Sequence, residues 1–224
     1  MKRAIIFGSS GLTGNALAKL IAEDPRYDEL ICFQRREVAI QYPKQKNVIT
    51  TFQDLHYYAD LFYGTDVFCC LGTTMRNVNN DKVAYHEADV DRPLAAAKAA
   101  ASHGATSFTI QTALTANAKS MVFYNRIKGE VEDAVRNLGL RAVYIYRPSI
   151  LTGNRQEKRT GEGMGITITK FVTPILVGPW KKYRAIAAAD VAKAMLIVAK
   201  SEKPGDHIFL SDRIQAIADG STWQ

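Results

Sequence analysis

The sequence predicts an α/β protein in which a doubly wound parallel sheet carries helices on both faces. Two observations predict this class: short apolar runs alternate with longer amphipathic segments along the chain, and a glycine-rich turn joins the first run to the first helix. A length of 224 residues, 47% of them apolar and 23% charged, suits one domain with an ordinary core and excludes a disordered chain.

Seven apolar runs are the predicted strands. The run Asp66–Leu71 is almost wholly apolar, as expected of a strand that is buried on both faces of a parallel sheet. Proline at position 148 ends the sixth run, because proline cannot donate to a strand ladder. The predicted strands are Lys2–Phe7, Leu30–Gln34, Val48–Phe52, Asp66–Leu71, Ser107–Ile110, Ala142–Tyr146 and His207–Leu210.

Amphipathic segments between these runs are the predicted helices. Their apolar residues recur at helical spacing, and the longest segment is rich in alanine. Residues 150–165 are polar and glycine-rich, which predicts a loop or a lid. The predicted helices are Asn15–Ala22, Val83–His103, Met121–Leu138 and Ala189–Lys200, followed by a final short helix.

The first turn from strand to helix carries the strongest local motif, three glycines at the spacing GxxGxxG. Glycines let the backbone approach a pyrophosphate closely, and the following helix directs free N–H groups and its positive dipole end at that anion. The motif follows a predicted strand and opens a predicted helix, which is the context that supports a dinucleotide site. A plain tight turn is the alternative. The turn consists of Gly8, Ser9, Ser10, Gly11, Leu12, Thr13 and Gly14.

The end of the second predicted strand indicates which dinucleotide would bind. Sites that prefer NAD place a carboxylate here for the ribose 2′-hydroxyl, whereas this chain has Gln34, Arg35 and Arg36. Arginine holds a phosphate through bidentate, charge-assisted hydrogen bonds, so NADP(H) is favoured over NAD(H). The alternative is a pair of arginines on a solvated loop.

Tyr124 and Lys128 form the candidate proton-transfer pair. Residues four apart share one face of a helix, so the phenol and the ammonium would meet beside a common ligand. A nearby ammonium stabilises a phenolate, which would let Tyr124 act as general acid for a carbonyl or general base for an alcohol. The YxxxK spacing alone is common by chance. Its position after the fifth predicted strand strengthens the prediction of a catalytic pair.

With these motifs the chain resembles the short-chain dehydrogenase/reductase superfamily, in particular atypical NADPH-binding members similar to the HIV Tat-interacting-protein oxidoreductases. The resemblance runs to about residue 210, and two strings carry it most specifically, CCLGTT at 69–74 and KGEVE at 128–132. It implies a Rossmann fold, a single NAD(P)-binding domain over residues 1–224, and a substrate-side loop or lid at 151–184.

The resemblance also implies roles for residues at several strand ends. The segment Leu71–Thr74 would line the adenosine and ribose side, Asp54 would lie near the adenine, and Lys128 would hold the nicotinamide ribose. Asp54 has an alternative role as the cap of a helix that begins near Leu55. Together with the motifs, the predicted cofactor-binding residues are Gly8, Ser10, Gly11, Leu12, Thr13, Gly14, Arg35, Arg36, Asp54, Leu55, Leu71, Gly72, Thr73, Thr74, Tyr124, Lys128, Arg147, Pro148, Ser149 and Ile150.

One departure from the family pattern concerns the hydroxyl that binds the substrate oxygen. The family carries a serine pair on the loop before the tyrosine, and this chain has Thr112 and Ala113 there. Threonine offers the same donor and acceptor as serine, so Thr112 completes the predicted catalytic set with Tyr124 and Lys128 if the first position is the working one. If the second position is, Ala113 supplies no hydroxyl.

The positive charge of the chain lies mainly in its last third. Residues 1–140 hold 16 basic and 15 acidic residues, whereas residues 141–224 hold 13 and 7. The excess within 151–184 predicts attraction for an anionic substrate, for the cofactor phosphates or for an acidic partner, with a solvated lid as the alternative. The basic residues of that segment are Arg155, Lys158, Arg159, Lys170, Lys181, Lys182 and Arg184.

Other function classes find no support in the sequence. No cluster of metal ligands, nucleic-acid module, nucleophile elbow, signal peptide or membrane-length apolar run is evident. The three cysteines lie in apolar runs without paired spacing, which predicts inert, reduced thiols. We therefore expect a cytoplasmic monomer or homodimer that binds a small molecule, with no metal, nucleic acid or membrane span.

Two functions follow from these motifs. The first is an NADP(H)-dependent oxidoreductase that transfers a hydride between nicotinamide and a small carbonyl or alcohol substrate, with an epimerase or dehydratase as a minor variant. The second is an NADPH-sensing binding or regulatory protein with little turnover. Intact Tyr124 and Lys128 favour the first, whereas Thr112–Ala113 and the lack of a large substrate domain favour the second.

Overall fold

The computed structural model describes residues 2–153 and 178–223, and within them the main sheet has seven strands, all paired in parallel. The strands are β1 (Arg3–Phe7), β2 (Glu29–Gln34), β3 (Gln45–Ile49), β4 (Asp66–Cys69), β5 (Ser107–Gln111), β6 (Ala142–Arg147), β7 (Leu151–Thr152), β8 (Ile186–Ala187) and β9 (Gly205–Leu210). Their order in the main sheet is β3-β2-β1-β4-β5-β6-β9, so successive strands are added toward one edge from β1 to β3 and toward the other edge from β4 onward. Ligands of such sheets bind beyond the carboxyl ends of the strands, at the point between β1 and β4 where this order reverses.

Helices cover both faces of the sheet, which confirms the predicted fold class. Outside the sheet, β7 and β8 form a separate two-stranded parallel ladder. Short 3-10 turns occupy Leu55–Tyr58, Met75–Val78 and Gly178–Tyr183. The helices are α1 (Leu12–Glu23), α2 (Ala59–Phe62), α3 (Lys82–His86), α4 (Arg92–Ser102), α5 (Phe123–Arg136), α6 (Ala188–Ala199) and α7 (Ser211–Ala218).

Two apolar clusters, one on each face, hold these layers together. Alternation along β1 directs Ile5 and Phe7 into the cluster beneath α4 and α5, and directs Ala4 and Ile6 into the cluster beneath α1, α6 and α7. All four side chains are fully buried. Burial of a large aliphatic or aromatic side chain contributes about 1.5–3 kcal/mol, so both faces stabilise the sheet.

The edge strand β3 lies earlier than predicted. The apolar run suggested Val48–Phe52, whereas the strand is Gln45–Ile49, which pairs with β2 and lies at the edge of the described sheet. An edge strand with one covered face does not need a continuous apolar sequence. Phe52 belongs to the following turn, where it has a left-handed backbone (φ 69°) and a buried ring.

The predicted helix Val83–His103 is interrupted by one turn of π-helix at Glu87–Asp91. There the N–H of Arg92 donates to the carbonyl of Glu87, five residues earlier. Pro93 gives the physical reason, because it has no N–H and its ring clashes with the carbonyl four residues earlier, that of Asp89.

The cysteines are free thiols at the centre of the sheet. Cys32 and Cys69 are buried and Cys70 is partly buried. Burial raises the pKa of the Cys32 thiol to about 11 and that of the Cys69 thiol to about 12. The prediction of inert packing holds for these two residues.

Most of the predicted lid, 151–184, lies outside the described residues. This includes four of the basic residues singled out above, at positions 155, 158, 159 and 170. Lys181 and Lys182 belong to the 3-10 turn Gly178–Tyr183. In the two described ranges, no helix combines the length and apolar character needed to cross a bilayer.

Candidate functional site

Most of the predicted site residues lie where strands of the main sheet end, and we call this region the carboxyl edge. It follows from the parallel pairing, because all seven strands point the same way. Backbone hydrogen bonds join neighbouring parts of it, since Cys70 N–H donates to Phe7 and Thr112 N–H donates to Tyr146. The carboxyl edge consists of Gly8–Gly14, Arg35–Arg36, Cys70–Thr74, Thr112–Thr115 and Arg147–Ile150.

The turn after β1 needs its glycines for close backbone approach. Gly8 has a left-handed backbone (φ 86°), and a Cβ there would lie 2.8 Å from the carbonyl oxygen of Cys70. A Cβ on Gly14 would lie 2.2 Å from the carbonyl oxygen of Gly8. The first turn of α1 therefore packs directly on the end of β1, and the turn between them carries only the side chains of Ser9 and Ser10.

The start of α1 is suited to an anion. Gly11 caps the helix without a side chain, and the first turn has no acidic residue, so the leading N–H groups keep their hydrogen-bonding capacity. The buried hydroxyl of Thr13 has no partner within 2–153 and 178–223. A helix N-terminus also carries a positive dipole end. These residues fit a pyrophosphate, in agreement with the sequence motif.

Arginines from two elements interact at the end of β2. Partial burial, and then the like charges of Arg92 and Arg36, lower the pKa of the Arg35 guanidinium. Arg92 donates to Glu87 Oε1 at 2.8 Å, which positions it beside the π turn. No sequence signal pointed to Arg92, because nothing marks one arginine at the start of an alanine-rich helix as a neighbour of Arg35.

Lys128 is bonded to a residue that the sequence analysis did not single out. Its ammonium donates to Asp89, and both side chains are buried. The other carboxylate oxygen of Asp89 accepts the N–H of Thr73 at 2.8 Å. Tyr124, one helical turn before Lys128, is 41% exposed. The Lys128 ammonium is therefore buried and paired with a carboxylate, whereas the Tyr124 phenol is accessible to a ligand.

Thr112 and Arg147 share a buried acidic partner. Thr112 donates its hydroxyl to Glu132, a carboxylate that is 2% exposed. Arg147 Nε lies 3.0 and 3.1 Å from the two oxygens of the same carboxylate. The predicted catalytic role of Thr112 stays a prediction, and its hydroxyl is already engaged by Glu132, which the sequence motif contained without marking as a partner.

Gly129 lets α5 lie against the loop that follows β5. A Cβ at this position would stand 2.0 Å from the backbone nitrogen of Ala118. Asn117 N–H also donates to the carbonyl of Asn125 at 2.9 Å, so a backbone hydrogen bond joins the loop and the helix one turn before this contact. This packing positions the helix that carries Tyr124 and Lys128.

Other predicted residues have partners inside the protein. Asp54 accepts the Thr50 hydroxyl and the Thr51 N–H, and the Thr50 hydrogen bond holds its pKa below the ordinary range. Asp54 lies at the N-cap position of the 3-10 turn that begins at Leu55, but its carboxylate makes no capping hydrogen bond there, so the capping alternative is not borne out. Leu55 itself is buried in the core.

Residues after β6 and β4 are likewise held by the protein. Ser149 N–H donates to Ser211 Oγ at 2.8 Å, and Pro148 accepts the N–H of Leu114 at 3.0 Å. Thr74 Oγ1 accepts the N–H of Asn77 at 3.3 Å. By contrast, Ser10 and Gly11 of the glycine turn, Gly72 and Ile150 are exposed at the edge.

Comparison with known proteins gives relatives in sequence and in structure, although no family model matches the chain. Protein HTATIP2 of Rattus norvegicus is 33% identical over 199 residues, 87% of this chain and 80% of the rat protein. The mitochondrial protein FMP52 of Eremothecium gossypii is 28% identical over 74% of this chain and 73% of its own length. The structure of MoeE5 in complex with UDP-glucose and NAD has a TM-score of 0.67 at 14% identity, over 96% of this chain and 80% of MoeE5.

These relatives overturn the expected cytoplasmic location. The FMP52 proteins of Eremothecium gossypii, Candida albicans and Meyerozyma guilliermondii are all named as mitochondrial. The lack of an apolar signal segment argues against secretion but says nothing about import into an organelle, so it does not indicate a cytoplasmic location.

Proposed function

The chain belongs to the family of the HTATIP2 and FMP52 proteins, which is of the atypical NAD(P)-binding short-chain dehydrogenase/reductase type, and from that premise we propose that it is an NADP(H)-dependent oxidoreductase. Its substrate would be a small carbonyl or alcohol, with an anionic group as one option. The observation that carries the proposal is the close-packed glycine turn, beside which the start of α1 has no side-chain cap and the Thr13 hydroxyl has no partner among the described residues. The domain is the whole chain, with 151–184 as its substrate-side segment.

NADP(H) is preferred to NAD(H) in this proposal because the end of β2 is cationic. Arg35 and Arg36 occupy the position where a carboxylate would favour NAD, and Arg92 adds a third guanidinium nearby. The MoeE5 structure is described with NAD, so the preference rests on the residues of this chain alone. Bidentate hydrogen bonds from arginine suit a phosphate on the ribose.

The residues of the chain would divide the work as follows. A bound nicotinamide supplies or accepts the hydride. Tyr124 donates a proton to the substrate oxygen in reduction and takes it back in oxidation, and its exposure leaves the phenol free for this contact. Lys128 holds the nicotinamide ribose, and the backbone of the glycine turn holds the pyrophosphate. Residues 71–74 and 147–150 line the remaining sides.

A second function, an NADPH-binding regulatory protein with little turnover, is supported by one observation. Thr112 already donates its hydroxyl to Glu132, and Ala113 has none, so the usual hydroxyl for the substrate oxygen is not available at these positions. In this second function, binding of NADPH at the dinucleotide site would change the surface of the protein.

Binding and turnover separate these functions. We expect NADPH to bind at least about tenfold more tightly than NADH in a fluorescence titration, because a charge-assisted contact to phosphate contributes 1.5–3 kcal/mol. If neither dinucleotide binds, both functions are wrong. A screen of aldehydes and ketones for NADPH oxidation then tests turnover.

Tyr124→Phe tests the proton-transfer role in that screen. We expect the rate to fall by about 10²–10⁴ while the Kd for NADPH stays within about threefold. Tyr63→Phe, at another exposed tyrosine, is the matched control and should leave the rate unchanged. Binding of NADPH without oxidation by any carbonyl would support the regulatory protein, and an active Tyr124→Phe variant would contradict the assigned role.

A further inference from the structure

Asp89 owes its position to an irregular turn between α3 and α4. In a regular helix the residue at 93 would donate its N–H to the carbonyl of Asp89, and proline has no N–H to donate. The helix widens to a π turn over Glu87–Asp91 instead. Turns of this kind occur often at functional sites, because they redirect a side chain without ending the helix.

The redirected carboxylate joins two parts of the predicted cofactor site. Asp89 Oδ1 accepts the ammonium of Lys128 from α5, and Oδ2 accepts the N–H of Thr73 from the segment after β4. A Cβ added to the exposed Gly72 would lie only 3.8 Å from Oδ1, so the carboxylate lies just beneath the surface of the carboxyl edge. The side chain of Asp89 is 1% exposed and that of Lys128 is 7% exposed.

A buried ion pair of this kind is a poor device for stability alone. Taking both charges out of water costs several kcal/mol each, and an apolar pair of similar size is often as stable. The Thr73 N–H, which also donates to Asp89, belongs to a loop. The ion pair between Asp89 and Lys128 lies under the predicted ribose-binding region. Tyr85 is buried nearby, and burial with the charges of Asp89 and Tyr124 raises its pKa, so Tyr85 remains a neutral neighbour of the pair.

We infer that Asp89 is a positioning residue for the cofactor: it holds the Lys128 ammonium in place for the nicotinamide ribose and ties it to the loop Leu71–Thr74 on the adenosine side. This inference rests on the proposed dinucleotide site. An ammonium has three donors and one is used by Asp89, so two remain for ribose hydroxyls. A long lysine side chain that is held before binding loses less side-chain entropy when the ligand arrives.

The test uses Asp89→Asn, with NADPH and 2′,5′-ADP as probes. The amide oxygen of asparagine still accepts the Thr73 N–H, whereas the NH2 group that replaces Oδ1 offers the Lys128 ammonium neither a negative charge nor an acceptor. We expect NADPH to bind about 10- to 100-fold more weakly, because a hydrogen bond to a charged group contributes 1.5–3 kcal/mol. The affinity for 2′,5′-ADP, which lacks the nicotinamide riboside, should stay within about twofold. Asp91→Asn, in the same π turn but 58% exposed, is the matched control and should change neither.

A double-mutant cycle tests whether Asp89 acts through the lysine. We expect Lys128→Met with Asp89→Asn to bind NADPH no more weakly than Lys128→Met alone, since a residue that acts through another has no effect once the other is gone. Effects that add, or an Asp89→Asn variant that binds NADPH as the wild-type protein does, would overturn the inference.

Folding is controlled by circular dichroism and thermal unfolding of each variant. If Asp89→Asn does not fold, the double variant, which removes both charges, is used instead of it and compared with Lys128→Met. A double variant that binds NADPH more weakly than Lys128→Met contradicts the inference. A wild-type protein that binds 2′,5′-ADP and NADPH equally well overturns the inference while leaving the dinucleotide site intact. A wild-type protein that binds neither probe overturns the proposed function and the inference with it.

Discussion

Where β1, β4 and β5 begin, polar groups are bonded to one another, whereas beyond the other end of β1 the start of α1 has no side-chain cap and a buried hydroxyl without a partner among the described residues. Asp66 is fully buried and bonded to Lys2 at 3.3 Å, Tyr27 at 2.8 Å and Ser107 at 3.0 Å. Lys2 also reaches Glu202 at 3.3 Å. We call this set the amino edge, and it consists of Lys2, Asp24, Arg26, Tyr27, Asp66, Ser107, Lys200 and Glu202.

The carboxyl edge also has internally bonded groups, such as Thr112 and Arg147 with Glu132, but it differs from the amino edge in three features. No side chain caps the start of α1, the Thr13 hydroxyl has no partner in the part of the chain that the structure describes, and Arg35 experiences repulsion from two like charges. Groups that are satisfied internally stabilise a fold, and groups left with open capacity or repulsion are available to a ligand. The difference supports the proposed ligand site at the carboxyl edge and a stabilising role for the amino edge.

The largest expected effect is at the amino edge, on removal of the Asp66 carboxylate. Asp66→Ala leaves Lys2, Tyr27 and Ser107 without their shared partner, and breaking a buried ion pair costs about 3–5 kcal/mol. Urea denaturation should show this loss in the free energy of unfolding. Asp60→Ala, an exposed aspartate, should change it by less than about 0.5 kcal/mol. A tolerated Asp66→Ala would remove the contrast between the edges.

Gly14→Ala should be the costliest change at the carboxyl edge. The new Cβ would have to displace the Gly8 carbonyl, and such overpacking costs about 1–3 kcal/mol. Thermal unfolding measures this, and NADPH binding should be lost with the altered turn. Gly11→Ala is the matched control, because its Cβ would lie at an ordinary 3.4 Å from the same carbonyl and should cost less. Equal costs for the two variants would contradict the close packing of α1 on β1.

The Arg35→Ala/Arg36→Ala variant should affect binding without affecting stability. We expect the affinity for NADPH to fall about 10- to 100-fold, that for NADH to change by less than about threefold, and the free energy of unfolding to stay within about 0.5 kcal/mol. Isothermal titration and urea denaturation measure these quantities. Arg136→Ala, which removes a surface ion pair with Asp206, should change none of them. Equal losses for NADPH and NADH would rule out 2′-phosphate recognition.

The smallest expected effect is the response of the amino edge to acid. Burial acts to raise the pKa of Glu202, but hydrogen bonds and charges from Lys2 and Arg26 outweigh it and hold the pKa below the ordinary value. Burial and Lys200 act in the same opposing way on Asp24, whose pKa is also lowered. A carboxyl with a lowered folded pKa stabilises the protein above its unfolded pKa, and this contribution is lost as the pH falls through the folded value.

We therefore expect the free energy of unfolding to decrease between about pH 5 and pH 3, with under about 1 kcal/mol from each partly exposed pair. The Asp24→Asn/Glu202→Gln variant should show a smaller decrease over the same range in urea denaturation. An identical decrease in the variant and the wild-type protein would show that these two carboxyls do not contribute.

Local sequence patterns were enough to predict the sheet and the glycine turn. Buried parallel strands such as β4 need apolar side chains on both faces, so their sequences are distinctive. The edge strand β3 has no such requirement, and its position was wrong by about three residues. Helix periodicity likewise predicted the span from 83 to 103 but not the π turn, for which Pro93 was the available signal.

Long-range contacts account for what the sequence did not predict at the candidate site. Asp89 meets Lys128 from 39 positions away, and Thr112 meets Glu132 from 20 positions away. Neither carboxylate is marked by a motif of its own, and both depend on how α4 and α5 pack on the sheet. The role of the Thr112 hydroxyl therefore could not be inferred from its position before the tyrosine.

The buried cysteines can serve as an internal probe of local or global unfolding of the sheet. Thiolate is the reactive form of cysteine, and the raised pKa values of Cys32 and Cys69 leave almost none of it at neutral pH in the folded state. Because Cys69 ends a central strand and Cys32 lies in its second neighbour, a thiol reagent would label them when the sheet separates locally or globally. The rate of labelling with and without NADPH would thus report how strongly a ligand at one edge slows the separation of the strands beneath it.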